Sequence, residues 1–555
     1  MKLTRIVPPA AVLLTFFVFG MRFATAQAPI RLTDVTPTSG IDFQQHDGSS
    51  GNYYIVETMS GAVALLDYDN DGDVDIYFLN GQSVDEADRV SPLATNRLYR
   101  NDGHFRFQDV TQQAGVGDTG HGLGVAVADY DGDGWLDVYV NNFGPNVLYR
   151  NRGDGTFEDV TNRAGVANGH RTGAGVCFLD YDGDGDLDLF VANYIQFDAR
   201  KHVARTKQGV PVYGSPADYA FDADTLFRNN GDGTFTDVSA ESGIGQIRLP
   251  SMGAIASDVD QDGDVDILVA NDGQTNSLYR NDGQGRFVEQ ALLMGFAYDA
   301  MGKTHASMGV ASADFDHDGW FDYHVTSFQG ESASLYRNLQ GKYLDDVSVR
   351  WNAAAVTRPP VTWGNAAVDL DADGFEDLVI ACGHLYDRVA EIDSTTRYAL
   401  PNLVLRNETG KRFANVSSQA GGGMQVEAVS RGVAVDDLDN DGDVDVVISN
   451  LRSRPTILRN DSNPAPHYLQ VKLRANGANR FAIGARVTLR TKSLQLSQEV
   501  HSGQGYQSHF GDRLYFGLGP DSVIEWLDVH WPDGTVQRQT NIPANQVLEI
   551  QQREN

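Results

Sequence analysis

Residues 124–161 read GVAVADYDGDGWLDVYVNNFGPNVLYRNRGDGTFEDVT, and this stretch decides the fold. Gly124–Ala128 is a small-apolar strand. Asp129–Asp137 is a nine-residue acidic loop, and Asp137–Asn141 alternates as a second strand. Val147–Asn151 is a third strand. The turn Arg152-Gly153-Asp154-Gly155 leads into a fourth, Thr156–Thr161. Four short strands separated by turn residues predict one antiparallel sheet. The loop Asp-x-Asp-x-Asp-Gly-x-x-Asp occurs seven times, starting at Asp67, Asp129, Asp180, Asp258, Asp314, Asp369 and Asp437. A Leu-Tyr-Arg-Asn-like third strand follows each, at Leu98, Leu148, Leu226, Leu278, Leu335, Leu405 and Leu458. Self-similarity at this period, four strands per unit, predicts propeller blades.

The chain ends carry the topological argument. The seventh unit, ending at Leu458-Arg459-Asn460, lacks a fourth strand. An unpaired copy, Leu32-Thr33-Asp34-Val35-Thr36, stands near the start. Pairing the two would close the ring and leave no open edge. The expectation is an all-β chain with a seven-bladed β-propeller over residues 29–461. A small β-rich C-terminal domain, 467–555, follows, with hairpin turns expected at Asn476-Gly477 and Asp533-Gly534. Five residues before each loop stands Ala62, Gly124, Gly175, Gly253, Gly309, Gly364 or Gly432. Such small residues suit crowded innermost strands, or mark β-bulges.

The loops have the chemistry of a hard-cation cage. Position 6 is glycine in every copy and permits a sharp turn. Position 7 varies from Asp73 to Trp135 to Phe375, as a backbone carbonyl ligand could. Candidate ligands are therefore positions 1, 3, 5 and 9. In the first three loops these are Asp67, Asp69, Asp71 and Asp75; Asp129, Asp131, Asp133 and Asp137; and Asp180, Asp182, Asp184 and Asp188. In the next two they are Asp258, Asp260, Asp262 and Asp266; and Asp314, Asp316, Asp318 and Asp322. In the last two they are Asp369, Asp371, Asp373 and Asp377; and Asp437, Asp439, Asp441 and Asp445. Ca2+ is the expected ion, about one per blade. Mg2+ keeps several waters and takes few carboxylates. An EF-hand needs a carboxylate at position 12, where this chain has Phe78, Val140, Val191, Val269, Val325, Ile380 and Ile448. Glu376, at the otherwise apolar position 8 of the sixth loop, is expected to weaken that strand's packing.

The net charge is −32 over 555 residues. Much of it is local, because the seven loops hold thirty-two aspartates. Nucleic acid is excluded as a partner, since phosphate binding needs a basic face. Lys2, Arg5, the apolar run Ala10–Gly20 and Ala24-Thr25-Ala26 read as a signal peptide over 1–26. No transmembrane segment is expected in the mature chain, and localisation is secreted, extracellular or periplasmic. Cys177 and Cys382 fall in different repeats and are expected to be buried free thiols.

Together the loops and the Leu-Tyr-Arg-Asn-x-Gly-x-Gly-x-Phe elements resemble the FG-GAP (VCBS-type) repeats of integrin-α-like propellers. Asn479–Val487, Gly503-Gln504-Gly505-Tyr506-Gln507-Ser508, Phe516–Gly519 and Trp531-Pro532-Asp533-Gly534 resemble the ASPIC/UnbV domain. The pair is similar to the cartilage acidic protein family and its secreted bacterial relatives. The resemblance implies an extracellular calcium-binding propeller with interaction or adhesion roles, and calcium mainly structural. An extracellular protein or glycan is the expected partner. With two cysteines there is no evident EGF-like module, unlike the longer animal members.

Long insertions at Gly81–Thr95, Tyr194–Ala223 and Gly383–Pro401 are expected to build the face opposite the loops. The second carries a basic island, Lys201, His202, Arg205 and Lys207, with Tyr213, Tyr219 and Phe221. On that face a ligand site is expected from Glu57, His121, Arg171, His305, Trp363 and Arg431, with His170 and Arg248 nearby. An enzyme, a lyase or hydrolase acting on a glycan or small molecule there, is the alternative to a binding protein. No Ser-His-Asp or His-x-x-His arrangement stands out, so no catalytic residue is assigned.

Overall fold

The computed structural model describes residues 29–85, 89, 93–462 and 467–554. The expected signal segment 1–26 and part of the first insertion lie outside these residues.

The architecture is all-β, with the acidic repeats folded as propeller-like blades. Sheet 1 comprises Val63–Leu66, Asp75–Phe78, Arg97–Asn101 and Phe107–Asp109. Sheet 2 comprises His121–Ala128, Asp137–Gly144, Val147–Asn151 and Phe157–Asp159. Sheet 3 comprises Arg171–Leu179, Asp188–Asn193, Thr225–Asn229 and Phe235–Asp237, and the pairing of Arg171 and Thr172 with Gly144 and Phe143 joins it to sheet 2. Sheets 4, 5 and 6 begin with Ser251–Ser257, Val310–Ala313 and Thr362–Val368 and repeat the same antiparallel order. Sheet 7 holds Ser430–Asp436, Asp445–Asn450 and Thr456–Asn460, and its fourth strand is Leu32–Asp34. Leu32 lies opposite Asn460 and Asp34 opposite Leu458, the pairing expected of the N-terminal copy.

Apolar side chains fill the spaces between successive sheets. One cluster joins sheets 1 and 2, others join 3 with 4, 4 with 5 and 5 with 6, and one spans 6, 7 and 1. The second strands are buried on both faces, as in Asp188–Asn193. The glycines before the loops serve close approach. A Cβ on Gly124 would stand 2.0 Å from the Ala174 carbonyl oxygen. On Gly253 it would stand 2.2 Å from that of Met308, and on Gly432 2.6 Å from that of Gly61. Each contact reaches the next sheet's first strand or the residues leading into it, and the last runs from sheet 7 to sheet 1. Register shifts at Gly122/Gly124 and Ser251/Gly253 show that these positions are bulges too.

Single helical turns, Thr111–Ala114, Thr161–Ala164, Ser239–Ser242 and Ala291–Met294, follow the fourth strands of sheets 1 to 4. The strand pattern gave no sign of them. Cys177 and Cys382 are buried free thiols.

The C-terminal segment forms two more sheets. One pairs Leu514–Gly519 with His467–Arg474, which also runs parallel to Gln546–Gln551. The other orders Gln495–Glu499, Arg486–Thr491, Val523–His530 and Val536–Pro543. Asp533-Gly534 is a hairpin turn as expected, joining its two flanking strands. Asn476-Gly477 is not, because the strands around it pair elsewhere and the chain there crosses between sheets.

Residues 502–511 of this segment stand among the first strands of all seven blades. The N–H of Leu65 donates to the His509 carbonyl at 3.1 Å, that of Val125 to Gln507 at 3.0 Å, and that of Val310 to Gly505 at 3.0 Å. Gly503 packs on the Val176 carbonyl and Gly505 on that of Asn365, leaving no room for a Cβ. The Gly505 carbonyl also faces Gly253, and the Ser508 hydroxyl faces Gly432. Tyr506 is fully buried and donates its hydroxyl to the Met59 carbonyl at 2.9 Å.

Candidate metal loops and the central mouth

Each loop is tied by its own carboxylates. In the fifth, Asp314 accepts from the Asp318 N–H at 3.0 Å and the Gly319 N–H at 2.9 Å. Asp322 accepts from the Asn338 N–H at 2.8 Å. The other loops repeat this, with Asp129 on Gly134 at 2.8 Å and Asp437 on Gly442 at 2.9 Å. Position 4 takes the left-handed conformation as well as position 6: Asn70, Gln261, His317, Ala372 and Asn440 have φ between 50° and 58°.

Positions 1 and 9 thus hold the turn, whereas position 3 keeps one oxygen out of every protein hydrogen bond in six of the loops. The Oδ1 atoms of Asp69, Asp131, Asp260, Asp316, Asp371 and Asp439 are buried without a hydrogen-bond partner. Oxygens of Asp67, Asp69 and Asp71 lie within 4.8 Å of one another, as do those of Asp129, Asp131 and Asp137. The sets Asp180, Asp182, Asp188; Asp258, Asp260, Asp262; and Asp314, Asp316, Asp318 do the same. Burial, reinforced by like charge, pushes the carboxyl pKa of Asp67 up to about 6, of Asp129 to about 7 and of Asp314 to about 8. Asp75, Asp137 and Asp322 are raised well above the usual range, burial again the first cause. Buried carboxylates in contact, with orphaned oxygens turned inward, fit a hard divalent cation. The several acidic clusters are suited to calcium.

Two residues of the Leu-Tyr-Arg-Asn strand have roles that strand periodicity did not suggest. The arginine leans on the loop: Arg337 lies 2.8 Å from Asp316 and 2.7 Å from Asp318, and Arg280 lies 3.0 Å from Asp266. The asparagine is a latch between neighbours. Asn151 Nδ2 donates to the Tyr68 carbonyl at 2.8 Å, Asn229 to Tyr130 at 2.9 Å, Asn281 to Tyr181 at 2.7 Å and Asn338 to Val259 at 2.8 Å. Asn407 reaches Phe315, Asn460 reaches Leu370, and Asn101 reaches Leu438 at 2.8 Å. Each bond links one repeat to position 2 of the preceding loop, and the Asn101 bond links the first repeat to the seventh. The recurrence of Asn was the available signal.

The C-terminal segment covers part of the loop face. Gln470 donates to Asp437 at 2.7 Å, Arg513 to the Gly72 carbonyl at 3.0 Å, and Lys472 lies 4.0 Å from Asp67. Glu376 is buried beneath it, 3.4 Å from Gln498, with Oε2 unpartnered. Burial raises its pKa to about 7. Its strand, Asp377–Cys382, still pairs on both sides.

Of the six residues expected to form one ligand site, Arg431 and Trp363 are in contact, and each of the others has partners of its own. Glu57 is buried and accepts from Ser50. His121 is buried between the carbonyls of Gln82 and Val56, 2.6 and 3.1 Å away, and burial lowers its pKa. Arg431 is fully buried, its guanidinium 3.7 Å above the Trp363 ring, donating to the Thr58 carbonyl. Trp363 donates to the Gly383 carbonyl at 2.8 Å. His305 pairs with Asp299 at 3.1 Å. Arg171 donates to the Ala223 carbonyl and lies, with Arg248 and His170, in a cleft of about 790 Å³. Lys201 and Arg205 line the same cleft, each near a carboxylate, Asp198 and Asp218. Tyr219 packs into the neighbouring apolar cluster, Tyr213 is buried and Lys207 is exposed.

Among known proteins, residues 475–555 match the ASPIC and UnbV family model. Residues 67–140, 129–191 and 258–325 match the FG-GAP-like repeat. The chain is 26% identical to mouse cartilage acidic protein 1 over 520 residues, 88% of this chain and 73% of that protein. It is 27% identical to the human protein, covering 88% and 71%. A solved Agrocybe aegerita structure, described as recognising non-reducing terminal N-acetylglucosamine, aligns at TM-score 0.37 and 18% identity. It covers 64% of this chain and 79% of that one, a likeness too low to bear on function. No helix among the described residues is long and apolar enough to cross a membrane.

Proposed function

We propose, from the premise that this chain is a homologue of cartilage acidic protein 1 carrying FG-GAP-like and ASPIC/UnbV domains, that it is a secreted calcium-binding interaction protein. Residues 29–461 form a closed seven-bladed propeller, and residues 467–555 a second β-rich unit seated on its loop face. The cyclic asparagine latches and the pairing of Leu32–Asp34 with Thr456–Asn460 support closure. Each blade holds one calcium through the aspartates at positions 1, 3, 5 and 9, with the position 7 carbonyl as a further ligand.

The observation that carries the calcium reading is the row of buried Oδ1 atoms at position 3 that lack any protein partner. Such an oxygen is costly unless something satisfies it. The metal is structural, because it closes loops that already link neighbouring blades. Recognition of an extracellular protein or glycan falls to the face built by the insertions, where the cleft lined by Arg171, Arg248, Lys201 and Tyr219 lies. Of the six residues named for a ligand site, Arg431 and Trp363 stack on each other while His121 and Glu57 are held by their own neighbours, and no observation favours an enzyme.

Equilibrium dialysis of stripped protein tests the reading. Binding of about seven calcium ions per chain, matching the seven loops, with a rise in melting temperature, is expected. No uptake in protein proved metal-free would overturn it. A glycan and protein array run with and without calcium, on wild type and on Arg171→Ala/Arg248→Ala, tests the recognition face.

A further inference from the structure

A separate pocket of about 180 Å³ opens at the mouth opposite the aspartate loops. Its walls are Met59, Met252, Met308, Trp363 and Tyr386, and its one ionisable acid is Asp272. Met252 lies on the first strand of sheet 4, Met59 and Met308 lie just before those of sheets 1 and 5, and all three are 1–3% exposed. Two of the three long insertions arrive here: Gly214-Ser215-Pro216 from the second and Leu385-Tyr386 from the third.

Several acids on this face have a cation. Asp47 is paired with Arg452, Asp222 with Arg248 at 3.3 Å, and Asp299 with His305 at 3.1 Å. Among the described residues no cation pairs with Asp272. Its side-chain partner is the Tyr194 hydroxyl, which donates to Oδ2 at 2.6 Å. Glu331, whose like charge acts on Asp272, accepts from the Ser327 hydroxyl and the Ala306 N–H. Burial raises the Asp272 pKa to about 6. A carboxylate at an apolar wall without a counter-charge is unfavourable unless a cation completes it.

We propose that this pocket binds a small organic ammonium whose charge meets Asp272 and whose apolar body lies among Met59, Met252, Met308 and Trp363. The ammonium supplies the missing partner of Asp272. Aromatic faces and thioethers favour a desolvated organic cation over a hydrated metal ion. Size limits the body: an apolar cavity of about 150 Å³ accommodates benzene, so this one takes a single six-membered ring with a short arm.

Calorimetry at pH 7.5 on the calcium-loaded full chain, with benzylamine, benzyl alcohol and benzoate as probes, tests this. Benzylamine is expected to bind once per chain, and the near-isosteric alcohol about tenfold or more weaker, the scale of one charge-assisted hydrogen bond. Benzoate should give no saturable heat. Asp272→Asn should bring benzylamine down to the alcohol's affinity while the calcium-dependent melting temperature holds. Met252→Trp should fill the pocket and abolish both. Equal affinity for amine and alcohol, unchanged benzylamine binding by Asp272→Asn, or no saturable binding of benzylamine would overturn the proposal. Calcium stoichiometry is unaffected by any of these outcomes, so the two readings fail separately.

Discussion

At the residue scale, each acidic loop is a proton site when it lacks a metal. The Asp67, Asp129 and Asp314 carboxyls are raised from 3.8 to about 6, 7 and 8. The folded state therefore binds protons more tightly than the unfolded chain. That contribution to stability is full below about pH 4 and is lost as pH rises through about 6 to 8. Metal-stripped protein should accordingly melt at lower temperature at pH 8 than at pH 5.5, while the calcium-induced gain grows with pH. Scanning calorimetry at both values, with calcium or EDTA, checks the sign. Asp316→Asn tests position 3. It should lower calcium uptake by one site and remove about 2.7 kcal/mol of calcium-dependent stability when calcium exceeds Kd a hundredfold. In EDTA it should not destabilise, since it removes a repelling charge. The aspartates were legible because one spacing recurs with one turn glycine. The partner roles of Arg337 and Asn338 were not, because both depend on contacts outside their own strand.

At the scale of elements, the asparagine latch is a hydrogen bond between repeats rather than within one. Asn338 is 1% exposed, donates to Val259 and accepts from the Gly341 N–H at 2.8 Å. Asn338→Ala should destabilise by about 1–3 kcal/mol for each polar group left stranded. Denaturant titration, with the m-value unchanged, would establish it. A cost below about 0.5 kcal/mol, the low end for a hydrogen bond, would mean that water replaces the side chain. Strand alternation made the four-stranded units legible. Helical turns of four residues, such as Thr161–Ala164, are too short to show a 3.6-residue period. Asn476-Gly477 misled because turn chemistry is local. Its flanking strand His467–Arg474 finds its partners in Leu514–Gly519 and Gln546–Gln551, some forty and eighty residues on.

At the scale of the molecule, residues 502–511 of the C-terminal segment belong to the interior of the repeat array. Tyr506 fills the centre and meets Trp363 edge to face, 5.2 Å between centroids. Residues 29–462 and 467–555 expressed together as two chains should co-purify as one complex. Each alone should be poorly soluble, and Tyr506→Ala should weaken the complex, losing about 3–5 kcal/mol by analogy with other buried aromatic truncations. Independent folding of the C-terminal piece with no affinity for the rest would contradict this arrangement. Sequence pattern marked Gly503–Ser508 only as a family signature, since nothing local tells that seven separate strands converge on it. The N-terminal strand carries a further implication, about time. Thr33 and Asp461, hydrogen-bonded partners, are 428 residues apart. At about 5–20 residues per second of synthesis, strand Leu32–Asp34 waits roughly 20 to 90 s for its mate to emerge. Throughout that interval it is an unpaired edge able to recruit another chain. An export route that holds the chain unfolded until its last residue is made would spare it that exposure.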